Sequence, residues 1–312
     1  MQAILTLPPN LPVHDAAPSH PVPSRIVAEW PVGTFIENLA VLPDQSIAVS
    51  VLSEARLDRV SPQGKMQTWR QFNAPPTGSA MSSGHLFVAV GEPGGAPPVL
   101  WRLDPASGEG SPWMTLDGVQ FANGLTPFAP GQLLLAESWL GRLLRIDLAS
   151  RTVSVWLEDE RLTRSPGIDF LPGANGVKRF GNEVTVSSNS RALMLRAAVA
   201  GDNSAGPLEQ LATRVRVDDF AYDQTGSLYL CTHIGHSLDR LDPDGTRITL
   251  AGVAEGLAGS TACAFHPDGG LYVTTTGGIL APPNGRLEPA RLVRLDVGAQ
   301  GHSLDHAWER NA

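Results

Sequence analysis

The sequence predicts an all-β fold, a six-bladed β-propeller with four-stranded blades, on three observations. A strand–tight turn–strand unit recurs six times. An Arg-apolar-Asp tripeptide and a tryptophan recur in phase with it. The apolar runs are short, rich in β-branched residues and bounded by Gly, Pro, Asp and Asn, which excludes a helical reading.

The copies begin at Glu37 (ENLAVLPDQSIAVSV), Ser79 (SAMSSGHLFVAV), Asn123 (NGLTPFAPGQLLLAES), Asn175 (NGVKRFGNEVTVSS), Asp218 (DDFAYDQTGSLYLCT) and Thr261 (TACAFHPDGGLYVTT). Their leading residues are spaced by 42, 44, 52, 43 and 43 positions, a period that suits one four-stranded blade per copy. A third strand ends in Arg-apolar-Asp at Asp104, Asp147, Asp242 and Asp296. A tryptophan in the expected fourth strand follows at Trp69, Trp113 and Trp156. Trp30 precedes Trp69 by 39 residues, whereas the last copy has no fourth strand of its own. Residues 25–31 are therefore expected to supply that strand and close the ring, which leaves no open sheet edge. The domain plan is an extended, poorly structured arm over residues 1–24 and one propeller over residues 25–312 with a short tail.

Composition fits this plan. A chain of 312 residues buries about three quarters of the surface it would expose unfolded, so the core needs no staples. Glycine (32) and proline (26) exceed their usual share and are spread evenly, as many turns between short strands require. No run approaches 18 apolar residues, which excludes a transmembrane helix. The net charge of −8 argues against nucleic acid or an anionic membrane as partner and leaves a small-molecule substrate. Cys231 and Cys263 lie in apolar stretches and read as buried thiols, too few for a disulfide framework or a thiolate zinc site. The N-terminus has neither a basic segment nor a continuous apolar one, so a cytoplasmic protein is expected.

In a propeller the first strand of each blade lines the central channel. Four of the six strand starts are oxygen donors: Glu37, Asn123, Asn175 and Asp218. Two carboxylates and two amides converging on one axis suit a hard divalent cation, Ca²⁺ before Mg²⁺. The competing reading makes Asn-Gly and Asp ordinary turn residues. It weakens because all four fall in phase.

These residues carry a family likeness. ENLAV (Glu37–Val41), FANGL (Phe121–Leu125), PGANGVK (Pro172–Lys178), DDFAYD (Asp218–Asp223), CTH (Cys231–His233) and GSTACAF (Gly259–Phe265) resemble, in order and phase, the senescence-marker-protein/gluconolactonase superfamily. The resemblance covers residues 25–300 and extends to paraoxonase, phosphotriesterase-type and strictosidine-synthase-like propellers. It implies one catalytic cation, Ca²⁺ first and Mg²⁺, Mn²⁺ or Zn²⁺ after it, on Glu37, Asn123, Asn175 and Asp218. Sugar-lactone members carry an Asn at the second-blade entrance, where this chain has Ser79 in PTGSAM, so an aldonolactone is not implied.

Further residues are expected at the same mouth. His233, just past a second strand, can serve as base, facing the cation across a small-molecule cavity, and Asp218 is the second catalytic candidate. Ser79, Thr261, Trp139 and Glu92 are candidate substrate contacts, and Glu137 and Ser138 are rim residues. Asp219 is expected to turn away from the axis and support Asp218, with Lys178 in a structural salt bridge. His14, His20, His302 and His306 are expected to be solvated. Ser187 and Ser260 lack a nucleophile elbow, which argues against a serine nucleophile. The leading function is a metal-dependent lactone or ester hydrolase, phosphotriesters being open to the same constellation. The alternatives are a metal-dependent cyclase or isomerase of a small metabolite, and a non-enzymatic small-molecule-binding propeller.

Overall fold

A computed structural model describes residues 14–168 and 171–304. It consists of six four-stranded antiparallel sheets built in chain order. β1 (Ser24–Val32) precedes blade one, made of β2 (Ile36–Val41), β3 (Ile47–Val51), β4 (Arg56–Val60) and β5 (Met66–Gln71). Blade two holds β6 (Pro76–Ser82), β7 (His85–Val90), β8 (Val99–Leu103) and β9 (Gly110–Thr115). Blade three holds β10 (Ala122–Ala129), β11 (Gln132–Glu137), β12 (Leu140–Asp147) and β13 (Thr152–Thr163). Blade four holds β14 (Ala174–Phe180), β15 (Glu183–Ser188), β16 (Leu193–Val199) and β17 (Ala205–Thr213). Blade five holds β18 (Phe220–Tyr222), β19 (Leu228–Thr232), β20 (Ser237–Leu241) and β21 (Arg247–Ala251). Blade six is β22 (Ser260–Phe265), β23 (Leu271–Thr275), β24 (Pro289–Leu295) and β1, in the order β1-β24-β23-β22. No described helix is long and apolar enough to cross a membrane.

The ring closes as the tryptophan spacing predicts. β1 pairs antiparallel with β24, Ser24 opposite Leu295 and Glu29 opposite Arg291. Trp30 is 1% exposed, and its indole Nε1–H donates to Asp58 Oδ2 of β4 at 2.8 Å. The residue that completes blade six is thus bonded to blade one. The inner strands and second strands are almost wholly buried, while fourth strands such as β5 and β9 are largely exposed. Apolar side chains from adjacent blades interdigitate, as where Val49 and Val51 meet Ala262 and Tyr272.

The recurrent aspartates have a local cause. Asp104 accepts the backbone N–H groups of Ala106 and Ser107, and Asp147 those of Ala149 and Ser150. Each side chain shapes the turn from third to fourth strand. The recurrent tryptophans pack between blades. Trp113 lies under the guanidinium groups of Arg102 and Arg151, at 3.7 and 3.9 Å.

Two sequence expectations change at the termini. Residues 14–23 are extended but held against blades four and five: His20 N–H donates to Thr249 O and Val22 N–H to Leu250 O of β21, and Asp15 pairs with Arg214, just past β17. His14 is half-buried, its Nε2 3.8 Å from Asp239, and burial pushes its pKa down. His302 is buried against the Phe180 ring, 4.6 Å away, because the tail joins blade five through His302 N–H to Tyr222 O. His20 is exposed as expected, and His306 lies outside the described residues.

Candidate metal centre

Five of the six inner strands share one irregularity, blade five being the exception. Pairing with the second strand breaks between Ile36 and Leu39, Pro76 and Ser79, Ala122 and Leu125, Ala174 and Val177, and Ser260 and Cys263. Each break frees two residues at the start of the strand from the ladder, as a bulge does. Glu37, Asn123, Asn175 and Thr261 are the first residue of that freed pair. The blade-two equivalent is Thr77, not Ser79, which falls two positions deeper, where the ladder resumes. The repeat is locally shifted in PTGS, and phase counted from the apolar run alone misses the shift.

The glycines after Thr77, Asn123 and Asn175 explain why Asn-Gly occurs inside a strand. A Cβ on Gly124 would lie 2.3 Å from the carbonyl oxygen of Asn175, and one on Gly176 would lie 2.4 Å from Asp219 Oδ1. Neighbouring inner strands therefore approach too closely for any side chain there. Gly176 N–H donates to Asp218 O, and Asp219 N–H to Thr261 O, which links blades four, five and six around the channel.

Three of the expected residues come together directly. Asn175 Nδ2–H donates to Asp218 Oδ1. His233 Nδ1 is 2.9 Å from Asp218 Oδ2, and its Nε2 is 3.0 Å from Thr276 Oγ1. Phe35 packs edge-on against the imidazole, 5.7 Å between centroids. Asn175, Asp218 and His233 are each at most 5% exposed. Glu37 belongs to the same electrostatic group: burial, then the Asp218 and Asp219 carboxylates, raise its pKa well above the usual carboxylate range. Asn123 is 3% exposed, and its side-chain amide makes no hydrogen bond among the described residues.

This chemistry fits a hard cation. Two carboxylates, Glu37 and Asp218, share this buried end of the channel, and the Lys178 ammonium is engaged by Asp219 at 2.6 and 2.9 Å. Among the described residues no three His, Cys, Asp or Glu side chains form a metal cluster. The candidate set depends instead on two amides. Asn123 has its oxygen available, and a half-turn of the Asn175 amide would exchange its bond to Asp218 for an oxygen toward the axis.

The remaining expectations divide. Lys178 does form a salt bridge, but Asp219 does not turn away, because both side chains line the channel cavity. Thr261 is fully buried and its hydroxyl is engaged by Ile36 O and Thr274, so it ties blade six to blade one instead of facing substrate. Glu137 is not a rim residue: its carboxylate accepts the N–H groups of Gln120, Phe121 and Leu140. Ser138 donates to Ala174 O at 2.6 Å. Trp139 is half-buried, edge-on to Phe121, beneath Arg164 and beside Gly94 in the loop that exposes Glu92. Ser187 and Ser260 bond to backbone carbonyls of Asp218 and Ser237. Sequence reasoning missed Thr77, Thr276 and Phe35. The third threonine of VTTT, in the same place as His233 of blade five, was the available signal for Thr276.

No protein-family model matches the chain, and no curated protein does. Solved structures do. A calcium-binding protein, regucalcin, from Agrobacterium tumefaciens is 16% identical with a TM-score of 0.70, covering 92% of this chain and 97% of that one. A luciferin-regenerating enzyme is 14% identical with a TM-score of 0.69, covering 90% and 98%. A gluconolactonase from Xanthomonas campestris is 16% identical with a TM-score of 0.65, covering 91% and 98%. At these identities the likeness is one of architecture, and the chain has the six-bladed propeller fold of these three proteins.

Proposed function

We propose that the protein is a divalent-cation-dependent hydrolase that opens a lactone or cleaves a related ester at the channel mouth. The observation that carries this reading is the Asp218 carboxylate held between Asn175 and His233, with Glu37 near enough to feel its charge. Glu37, Asn123, Asn175 and Asp218 would hold the ion, and Ca²⁺ ranks first because all four offer oxygen. The calcium-binding regucalcin and the gluconolactonase among the fold neighbours support the ion and the substrate class. A cation in that position supplies Lewis acidity toward a carbonyl oxygen.

The remaining chemistry falls to the chain. Asp218 fixes the His233 ring through Nδ1, which leaves Nε2 to act as base once it exchanges the Thr276 hydroxyl for a water. Nε2 takes a proton as the water oxygen bonds to the carbonyl carbon. The ring C–O bond then breaks, and Nε2 returns the proton to the departing alkoxide. Phe35, edge-on to the imidazole, shields one side of the base from solvent.

A panel of lactones and aryl esters, assayed before and after exhaustive chelation, tests this reading. Hydrolysis lost on chelation and restored by Ca²⁺ is expected; hydrolysis indifferent to chelation overturns it. A luciferin-regenerating enzyme has the same fold, and one scaffold can host different reaction types, so a cyclase or isomerase is the second reading. A product with the mass of the substrate distinguishes it.

A further inference from the structure

A cavity of about 690 Å³ lies at the other end of the channel from the Asn175–Asp218–His233 group. Strand direction fixes this: each inner strand starts at the mouth, and the first-turn residues Gln45, Gln224 and Gly269 line the cavity's outer part. The space originates in the sequence. Ala40, Ala80, Ala221 and Ala264 each stand three residues past the mouth position of their blade, and all four line the cavity. A ring of alanines in phase leaves a void that larger side chains would fill. Its volume falls in the range of small-molecule pockets, about 300–1,000 Å³.

The inner end of the cavity is polar and deeply buried. Asn38 and Ser79 are each 7% exposed, and Lys178 and Asp219 6%. Lys178 gives two N–H groups to Asp219 and keeps a third. Asn38 Oδ1 accepts the N–H of Leu39, but its Nδ2 and the Ser79 hydroxyl make no hydrogen bond among the described residues. The open groups are therefore mainly donors. The two charges at this end cancel, so a charged guest would be desolvated without a counter-ion.

We infer that this cavity is a second binding site, for an uncharged small molecule bearing a carbonyl or hydroxyl oxygen on an apolar body. The oxygen would meet Asn38, Ser79 and Lys178, while Leu39, Met81 and Leu125 would enclose the body. Its lining does not include Glu37, Asn123, Asn175 or Asp218, the residues proposed to hold the cation.

The full chain, labelled with ¹³C at alanine methyls and kept in chelator, is titrated separately with benzyl alcohol, benzoate and benzylammonium. Benzyl alcohol should shift the Ala40, Ala80, Ala221 and Ala264 methyls saturably, and the charged probes should bind at least about tenfold more weakly. Ser79→Ala should weaken benzyl alcohol by about fivefold, and Ala80→Leu should abolish its effect by filling the space. Should Ala80→Leu disturb folding, Ser79→Ala and the three-probe comparison decide alone. Methyls unmoved by benzyl alcohol, charged probes that bind equally well, or unchanged affinity in Ser79→Ala would overturn the inference.

Discussion

Asn175 and Asp218 belong to adjacent blades and lie 43 positions apart, yet their side chains touch because Gly176 lets the strands approach. That glycine has an ordinary backbone conformation; its value is the missing Cβ. Gly176→Ala would press a methyl into Asp219 Oδ1 and backbone, and overpacking of this kind costs about 1–3 kcal/mol. Urea denaturation should show a loss in that range; an unchanged midpoint would mean that the inner strands have room to part. The polar residues beside it separate into binding and turnover. Glu37→Gln and Asp218→Asn each remove one charge from the proposed ion site and should weaken Ca²⁺ in calorimetry without unfolding the propeller. His233→Ala should instead lower turnover by about 10² with Ca²⁺ affinity nearly kept. Equal loss of affinity in all three variants would make His233 part of the ion site.

At the scale of the strand, what the sequence made legible was period, and what it hid was register. Alternation and turn residues located every blade to within a few residues, because burial on both faces and tight turns leave strong marks. The freed pair at the start of five inner strands leaves none, since a bulge is a backbone event with no fixed residue type. Asn-Gly marked it in blades three and four, but in blade two Thr77-Gly78 passed unnoticed and Ser79 took its place. The contact between His302 and Phe180 was equally hidden, because only tertiary packing brings the tail to blade five. The turn between β22 and β23 gives a prediction of its own. Against partial burial, Gly270 N–H, the Tyr272 hydroxyl and Arg294 hold the Asp268 carboxyl down, from the ordinary 3.8 to about 2. A depressed folded-state pKa contributes stability that is complete above pH 3.8 and fades as pH falls toward about 2. Between those limits the melting temperature should fall more steeply for the parent than for Asp268→Asn. Parallel profiles would show that the turn holds without the charge.

The whole ring depends on a strand whose partner lies at the opposite end of the chain. β1 covers β24 along seven paired positions, and Trp30 bonds onward to Asp58 in blade one. Without β1, β24 would present an open edge, and blade six would lose Val27, Ala28 and Trp30 from the core it shares with blade one. The segment before β1 adds a smaller contribution through Val22 and the pairs it makes along β21. Three changes should therefore rank in severity. Trp30→Phe keeps most of the buried ring and removes the indole donor, but Arg56 still donates to Asp58 Oδ2 at 3.1 Å, so the change should cost about 1 kcal/mol. Removing residues 1–22 discards exposed pairs such as Asp15–Arg214 and the Val22 contact, and should lower the melting temperature modestly. Removing residues 1–31 takes away most of the closing strand and should yield aggregated or unfolded protein, read by size-exclusion chromatography and thermal melts. Equal melting temperatures for the two truncations would show that β24 tolerates an open edge and that the ring is held by the inner strands alone.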